Sequence, residues 1–130
     1  MQRGIIDTNL VLRFLVNDDP QKVKRVEKLL QNKRDQNILL DTVVAEIVWV
    51  LQSYYSLEKL EIIEKIRALI HIDSIDCNTG IIDRALTLWK NNAIAYIDAY
   101  LVATAEHKKM PLYTYDKRLH GLKFIMCREP

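Results

Sequence analysis

The stretch Gly4-Ile5-Ile6-Asp7-Thr8-Asn9 decides how the rest of the chain is interpreted. A short apolar run ends in an acid, a hydroxyl and an amide, and a second apolar run, Leu10-Val11-Leu12, follows at once. This pattern indicates a buried strand, Arg3–Ile6, that delivers a carboxylate to its C-terminal end and continues into a helix capped by Thr8. Ligands of open α/β sheets bind outside the carboxyl ends of the strands, so Asp7 is the first candidate for chemistry.

Short apolar runs alternate with helical patterns over the rest of the chain, and residues 32–37 are expected to form a polar loop. The later strands are predicted at Ile38–Leu40, Ile72–Ile75, Pro111–Thr114 and Leu122–Cys127. The predicted helices run from Thr8 to Asn17, from Pro20 with Asp19 as cap, over Val43–Tyr55 with Asp41 or Thr42 as cap, from Ser56 to Ile70, from Asn78 or Thr79 to Asn92, over Tyr96–His107 and over Asp116–His120. Short strands without two-residue alternation favour a parallel sheet covered on both faces. The sequence therefore predicts an α/β fold, a three-layer α/β/α domain with a short, mainly parallel central sheet.

Two of these helices are expected to be buried on most sides. Val43–Tyr55 is rich in β-branched residues, which favour a strand, but its length favours a helix. Tyr96–His107 is apolar nearly all round, which is typical of a helix inside a core.

Length and composition bound the class of protein. A chain of 130 residues predicts one domain, residues 1–130, and 19 Lys and Arg against 17 Asp and Glu neither require nor exclude a nucleic-acid partner. Cys77 and Cys127 show no metal-ligand spacing and are expected to be thiols in a reducing compartment. With no signal peptide and no apolar run long enough to span a bilayer, we expect a cytoplasmic protein without a membrane segment.

Four acids are out of place on an ordinary surface. Asp7 and Asp116 each follow a strand, Glu46 interrupts an apolar run, and Asp98 lies in a mostly apolar helix. A buried carboxylate persists when it is paired, hydrogen-bonded or bound to a metal, and four of them near one edge need a cation. Oxygen ligands without His or Cys favour Mg²⁺ or Mn²⁺, which suit phosphoryl chemistry. Each acid alone is also compatible with a helix cap or an ion pair.

Other catalytic patterns are missing from the sequence. His71, His107 and His120 show no metal-binding spacing, and three glycines exclude a phosphate loop or a dinucleotide fingerprint. No nucleophile elbow occurs.

The order and spacing of the acids carry a resemblance to a known family. With Asp7-Thr8-Asn9 after a strand, Glu46 early in the third helix, Asp98-Ala99 on a late apolar helix and Thr114-Tyr115-Asp116-Lys117 after the fourth strand, the chain resembles PIN-domain ribonucleases from Ile5 to Ile125. In size it is most similar to the VapC-type toxins of bacterial toxin–antitoxin pairs. One departure is Ala95, where many relatives carry another acid, and it implies that a second metal binds weakly or only with substrate.

The resemblance implies a Mg²⁺- or Mn²⁺-dependent endoribonuclease and a cognate antitoxin that blocks its acidic groove. Carried over by position, Asp7, Glu46, Asp98 and Asp116 are expected to be the catalytic, metal-binding acids. Thr114 is expected to hold a water or ligand, and Asn9 to orient Asp7. Our hypothesis for the reaction is in-line attack by metal-activated water that leaves a 3′-hydroxyl and a 5′-phosphate.

An acidic pocket repels RNA, so a basic rim is expected to supply affinity. The candidates cluster near the C-terminal end: Lys108, Lys109, Lys117, Arg118 and Lys123. A solvated surface is the alternative for this set. Exposed aromatic residues at Trp49 and Tyr54-Tyr55 favour a homodimer or an antitoxin groove.

Rival classes fit less well. A haloacid-dehalogenase-type phosphatase needs an acid where Asn9 stands, and a receiver domain needs adjacent acids after the first strand. A PIN-fold processing nuclease without a toxin role and a non-catalytic RNA-binding or scaffold PIN module are the remaining alternatives.

Overall fold

The computed structural model describes residues 2–122 and 126–130. Contacts divide the chain into two units, residues 1–79 and 80–130. The first contains β1 (Arg3–Ile5), α1 (Thr8–Val16), α2 (Pro20–Gln31), β2 (Gln36–Ile38), α3 (Asp41–Ser53), α4 (Lys59–Ile70) and β3 (Ile75–Asp76). From Thr79 onward follow α5 (Thr79–Asn91), α6 (Tyr96–Lys108), β4 (Leu112–Tyr113), α7 (Lys117–His120) and β5 (Cys127–Arg128).

The sheet of the first unit is parallel, with strand order β1-β2-β3. The central strand occupies Gln36–Ile38, so the prediction of a loop at 32–37 and a strand at Ile38–Leu40 was wrong by two residues. The cause is backbone pairing on both sides: the Gln36 N–H bonds the Gln2 carbonyl at 2.8 Å, and the Asn37 N–H bonds the Ser74 carbonyl at 2.7 Å. Asn37 is buried in spite of its amide because the ladder, not apolarity, fixes the strand.

The first helix begins one residue later than its cap, which is Asp7 and not Thr8. Asp7 has an extended backbone, and its Oδ1 accepts the Leu10 N–H at 2.9 Å. The helix ends at Asn17 in the left-handed region (φ 58°), which bonds the Arg13 carbonyl. The predicted start of α2, with Asp19 as cap and Pro20 as first residue, is confirmed.

The third helix settles the ambiguity between strand and helix. It buries Val44, Ile47, Val48 and Leu51 at helical spacing, but Trp49 on its other side is 65% exposed, so only one face is buried. Its cap position is Leu40, without a side-chain bond, and the predicted caps Asp41 and Thr42 lie inside the helix. The fourth helix starts at Lys59 after Glu58, and not at the predicted Ser56, which adopts a left-handed backbone (φ 54°).

The second unit places β4 and β5 side by side in parallel, with Leu112 opposite Cys127. Among the described residues, β3 (Ile75–Asp76) and β5 (Cys127–Arg128) each share only one residue with the predicted strands Ile72–Ile75 and Leu122–Cys127, so those predicted bounds were wrong. Residues 123–125 of the predicted last strand lie outside the described part of the chain. α6 buries Tyr96, Ala99 and Val102, whereas Ile97 and Leu101 are exposed, so the predicted burial on most sides was wrong. α5 contributes Trp89, whose ring packs edge-on against Tyr96 at 5.8 Å.

No helix within the described residues has the length and apolar character needed to cross a membrane.

Candidate functional site

Asp7 lies two residues beyond β1, where the chain turns from the strand into α1. Ile6 is buried and bonds the Ile38 carbonyl through its N–H at 3.1 Å, which holds the turn against the sheet. Asp7 itself is exposed. Oδ1 accepts the Leu10 N–H, and Oδ2 accepts no hydrogen bond from the described residues. The cap therefore holds the carboxyl group through one oxygen and leaves the other without a hydrogen bond to the described residues.

Thr8 links this turn to the third helix. Its Oγ1 donates to Glu46 Oε2 at 3.0 Å. Glu46 is exposed on α3, on the side opposite the buried Val44 and Ile47. The bond brings Glu46 to the residue next to Asp7, so these two acids share one end of the first unit. Sequence reasoning gave Thr8 only a capping role and missed this bond.

Asn9 is exposed and makes no described hydrogen bond with Asp7. The Leu10 N–H orients the Asp7 carboxylate in the structure. The orienting role expected of Asn9 stays a prediction.

Asp98 occupies the third position of α6, in the first turn after the cap residue Ala95. Its Oδ2 accepts the Ala95 N–H at 3.3 Å, and the side chain is 20% exposed. A carboxylate at this position is stabilised by the free N–H groups and the positive end of the helix dipole. Helix formation alone therefore explains part of the placement of Asp98.

Asp116 and Arg118 form a two-pronged ion pair at the start of α7. Arg118 Nη2 lies 2.8 Å from Asp116 Oδ2, and Nε lies 3.2 Å from Oδ1. The Arg118 backbone N–H also donates to Asp116 Oδ1, at 2.9 Å. The hydrogen bonds from the Arg118 side chain, and then from its backbone, hold the pKa of Asp116 below its usual value, and the pKa of Arg118 is raised by the same partner.

The same guanidinium reaches the second acid of this unit. Arg118 Nη2 lies 3.8 Å from Asp98 Oδ2, so Asp98 and Asp116 both flank one cationic nitrogen. Sequence reasoning placed Arg118 on an RNA-binding rim and did not foresee this pairing.

Thr114 positions Asp116 through the backbone. Its Oγ1 accepts the Asp116 N–H at 3.0 Å, and its carbonyl accepts His120 Nε2 at 2.8 Å. The Thr114 hydroxyl donates no hydrogen bond to a residue that the structure describes. Its expected role in holding water stays a prediction.

The predicted acids fit a hard cation by the type of their donor atoms, but they do not form a cluster of three among the described residues. Within residues 2–122 and 126–130, no group of three or more His, Cys, Asp and Glu side chains is close enough together to hold a metal ion. The predicted acids occur as two pairs, Asp7 with Glu46 in the first unit and Asp98 with Asp116 in the second. Asp98 and Asp116 already surround one positive nitrogen, and their oxygens are of the type that Mg²⁺ and Mn²⁺ prefer.

The other predicted RNA-binding residues are exposed. Lys108 ends α6, Lys109 caps it with a left-handed backbone (φ 54°), and Lys117 begins α7. Lys123 lies outside the described residues. The RNA-binding role of these residues stays a prediction.

A groove that sequence reasoning missed lies between α1 and α2, beside Asp7. It has a volume of about 300 Å³ and is lined by Asp7, Asn9, Leu10, Arg13, Lys22, Arg25 and Val26. The only signal in the sequence was the spacing of Lys22 and Arg25, three residues apart on one helix.

Comparison with known proteins identifies the family. A family model described as PIN domain matches residues 5–125. The chain therefore belongs to the PIN-domain family, which confirms the predicted family and its α/β/α fold class. A search of curated proteins gave no match. Among solved structures, the chain is similar to "Crystal structure of VapBC2 from Rickettsia felis bound to a DNA fragment from their promoter", with 15% identity over 99% of this chain and 98% of that chain and a TM-score of 0.42.

Proposed function

We propose that the chain is an endoribonuclease that hydrolyses RNA phosphodiester bonds with Mg²⁺ or Mn²⁺. PIN domains are generally nucleases that use divalent metal ions. The observation that carries the proposal is the convergence of Asp98 and Asp116 on one cationic atom, Arg118 Nη2, at 3.8 and 2.8 Å. Two carboxylates that share a guanidinium nitrogen can share a metal ion once the guanidinium moves aside.

Each candidate residue has a role in this proposal. Asp98 and Asp116 would hold the ion in the second unit, and Asp7 and Glu46 are the acids that the first unit offers. A bound divalent cation would supply positive charge to the phosphate oxygens and to the attacking water. The Thr8 hydroxyl keeps Glu46 at the end of the unit where Asp7 lies, and the Thr114 hydroxyl fixes the backbone of Asp116.

Arg118 has a second role once it leaves the acids. Its side chain is 61% exposed and its guanidinium lies next to the acid pair, so a short movement presents it to a phosphate oxygen. A guanidinium binds phosphate through two parallel hydrogen bonds, as it now binds Asp116.

RNA cleavage with matched variants tests this proposal. Labelled RNA is incubated with the wild type in Mn²⁺, and a second sample contains EDTA. Metal charge is worth several kcal/mol to a phosphoryl transition state, so Asp98→Asn should slow cleavage by about a hundredfold or more. Glu64→Gln removes one acid from the exposed face of α4 and should cut at the wild-type rate. Equal cleavage by Asp98→Asn and the wild type, or cleavage that EDTA leaves unchanged, would contradict the proposal.

We further propose that this nuclease is the toxin of a type II toxin–antitoxin pair, with a cognate antitoxin protein as partner. Exposed apolar side chains adjoin the acids on both helices: Trp49 follows Glu46 by one turn on α3, and Ile97 and Leu101 flank Asp98 on α6. An inhibitory segment that carries both apolar and basic residues would match these surfaces. The exposed Trp49 and Tyr54 also support a homodimer, which the molecular mass in solution would test.

Growth of a bacterial host tests the toxin role. Induced expression of the wild type should arrest growth, Asp98→Asn should not, and co-expression of the neighbouring gene product should restore growth. If expression of active wild-type enzyme is harmless, the chain is a processing nuclease. If Asp98→Asn is as toxic as the wild type, toxicity does not come from the proposed site.

A further inference from the structure

The groove between α1 and α2 gathers positive charge next to a candidate catalytic acid. Arg13 lies on α1, and Lys22 and Arg25 lie on α2, and all three line the groove that has Asp7 in its wall. The two helices pack against each other across the short connection at residues 17–19. Three cations and one acid therefore line one groove, which has a volume of about 300 Å³.

Two of these cations are available to a ligand. Arg13 is paired with Asp18, with Nη1 at 3.1 Å from Oδ2. Lys22 and Arg25 are exposed, and neither side chain forms a hydrogen bond or ion pair with a residue that the structure describes. Unpaired cations that line a groove favour an anionic ligand.

We propose that this groove binds backbone phosphates of an RNA strand and leads the strand to Asp7. The identity of the ligand as RNA rests on the proposed function, whereas the positive groove is independent of it. Lys22 supplies a point charge, and the planar guanidinium of Arg25 matches phosphate oxygens. A phosphate chain repeats its charge along its length, so a strand with one phosphate at Asp7 places the next ones along the groove.

The groove is better placed for this role than the lysines predicted from the sequence. α6 separates Lys108 from Asp98 by ten residues, or about 15 Å at the rise of an α-helix. Arg118 is held by Asp116 and Asp98. In contrast, Lys22 and Arg25 line the same groove as Asp7.

RNA binding by charge-matched variants tests the groove. A fluorescein-labelled single-stranded poly(U) RNA is titrated in EDTA, so that binding is measured without cleavage. Lys22→Gln with Arg25→Gln removes two positive charges from the groove. Lys24→Gln with Lys28→Gln removes two positive charges from exposed positions on the same helix that do not line the groove. All four positions are exposed, so both double variants should unfold at the wild-type temperature.

Two results are expected from the titrations. The groove variant should bind RNA about tenfold or more weakly than the wild type, whereas the control variant should differ less than threefold or so. Each phosphate contact to a single strand contributes about 0.7 to the slope of log K against log salt. The groove variant should therefore lower the magnitude of that slope by about 1.4.

The outcomes separate this inference from the proposed function. If both double variants weaken RNA binding equally, the proposal that the groove binds RNA is wrong. A second result would also contradict the proposal: poly-aspartate binds the wild type only through Lys22 and Arg25 but displaces RNA from neither double variant. The groove would then bind an acidic protein. If the wild type cuts RNA but the groove variant binds it normally, the nuclease stands and the groove fails. If the groove variant alone loses RNA and nothing is cut, the groove stands and the nuclease fails.

Discussion

Arg118 is the single residue whose position changes the interpretation most. The sequence placed it on a basic rim, but its guanidinium pairs with Asp116 and reaches Asp98. The two acids are therefore neutralised in part by the chain itself, and a metal ion at the proposed site would have to compete with Arg118 for the same oxygens.

Replacement of Arg118 should strengthen metal binding. Arg118→Gln removes the competing cation, so Mn²⁺ should bind severalfold more tightly, as expected for an exposed charge pair. Isothermal titration with Mn²⁺, without RNA, measures the dissociation constant. Lys117→Gln is the control, because it removes a neighbouring exposed charge that makes no described contact with the acids. Weaker Mn²⁺ binding in Arg118→Gln than in Lys117→Gln would mean that Arg118 supports the metal site.

The Asp116–Arg118 pair also predicts a dependence of stability on pH. The pKa of Asp116 is lowered in the folded chain, first by the hydrogen bond from the Arg118 side chain. A lowered pKa stabilises the fold above the unfolded value of 3.8, and this contribution is lost as the pH falls through the folded value. Wild type and Asp116→Asn should therefore differ in melting temperature near neutral pH and converge in acid. A difference that grows in acid would exclude this origin.

Among single residues, the candidate acids were predictable and their partners were not. Asp7 and Asp116 follow strands, and Glu46 and Asp98 interrupt apolar helices, which a sequence displays directly. The bond from Thr8 to Glu46 spans 38 positions, and it exists only because α1 packs on α3. No local pattern encodes such a contact.

Asp7 shows how an element and a site share one side chain. It caps α1 and is also a candidate metal ligand. Asn caps a helix about as well as Asp does, whereas Ala does not. Two substitutions at one position therefore separate the structural role from the chemical one.

Asp7→Asn should keep its stability and lose cleavage, and Asp7→Ala should lose both. The missing cap in Asp7→Ala is expected to lower the free energy of unfolding by about 1 kcal/mol. Chemical denaturation and RNA cleavage, measured on both variants, test the two roles. An Asp7→Asn variant that cuts RNA at the wild-type rate would leave Asp7 as a cap only.

The end of α6 offers a second test on an element. Lys109 adopts a left-handed backbone, which costs a residue with a side chain about 1–2 kcal/mol. Lys109→Gly should stabilise the chain by up to about 1 kcal/mol, since glycine gives back part of that gain as unfolded-state entropy. Lys108→Gly, one residue earlier and inside the helix, should destabilise it by about 1 kcal/mol. If chemical denaturation shows that both substitutions change the free energy of unfolding in the same direction, this conformational explanation is wrong.

Helices were easier to predict than strands for a physical reason. The helical period in α2 and α4 comes from residues a few positions apart, so the sequence contains the whole signal. A strand of two or three residues has no period, and its limits depend on partners elsewhere. Gln36 lies in a strand because it pairs with Arg3, and the apolar Leu39 and Leu40 lie beyond it.

Over the whole molecule, metal binding should raise thermal stability. A ligand that binds only the folded chain at about a hundred times its dissociation constant adds about 2.7 kcal/mol, which corresponds to several degrees in melting temperature. Mn²⁺ should raise the melting temperature of the wild type and of Glu64→Gln by this amount, and that of Asp98→Asn by much less. An equal shift in all three would indicate binding elsewhere on the surface.

The α1–α2 groove could not be predicted from the sequence, because it depends on how the two helices pack. Arg13, Lys22 and Arg25 look like ordinary solvent-facing charges in the sequence, and Lys24 and Lys28 look the same. Only the packing of α1 on α2 distinguishes the first set from the second. The acids, by contrast, were recognised as a set because their order and spacing in the sequence resemble those of the PIN-domain family.

The position of Arg118 two residues after Asp116 has a further consequence. A competitor tethered this closely has an effective concentration that is set by the chain and that dilution of the protein does not change, on the order of millimolar for short flexible tethers. The acid pair therefore always has a counter-ion, however scarce divalent cations become. Arg118 should then raise the free cation concentration needed for half occupancy by a constant factor that does not depend on the protein concentration.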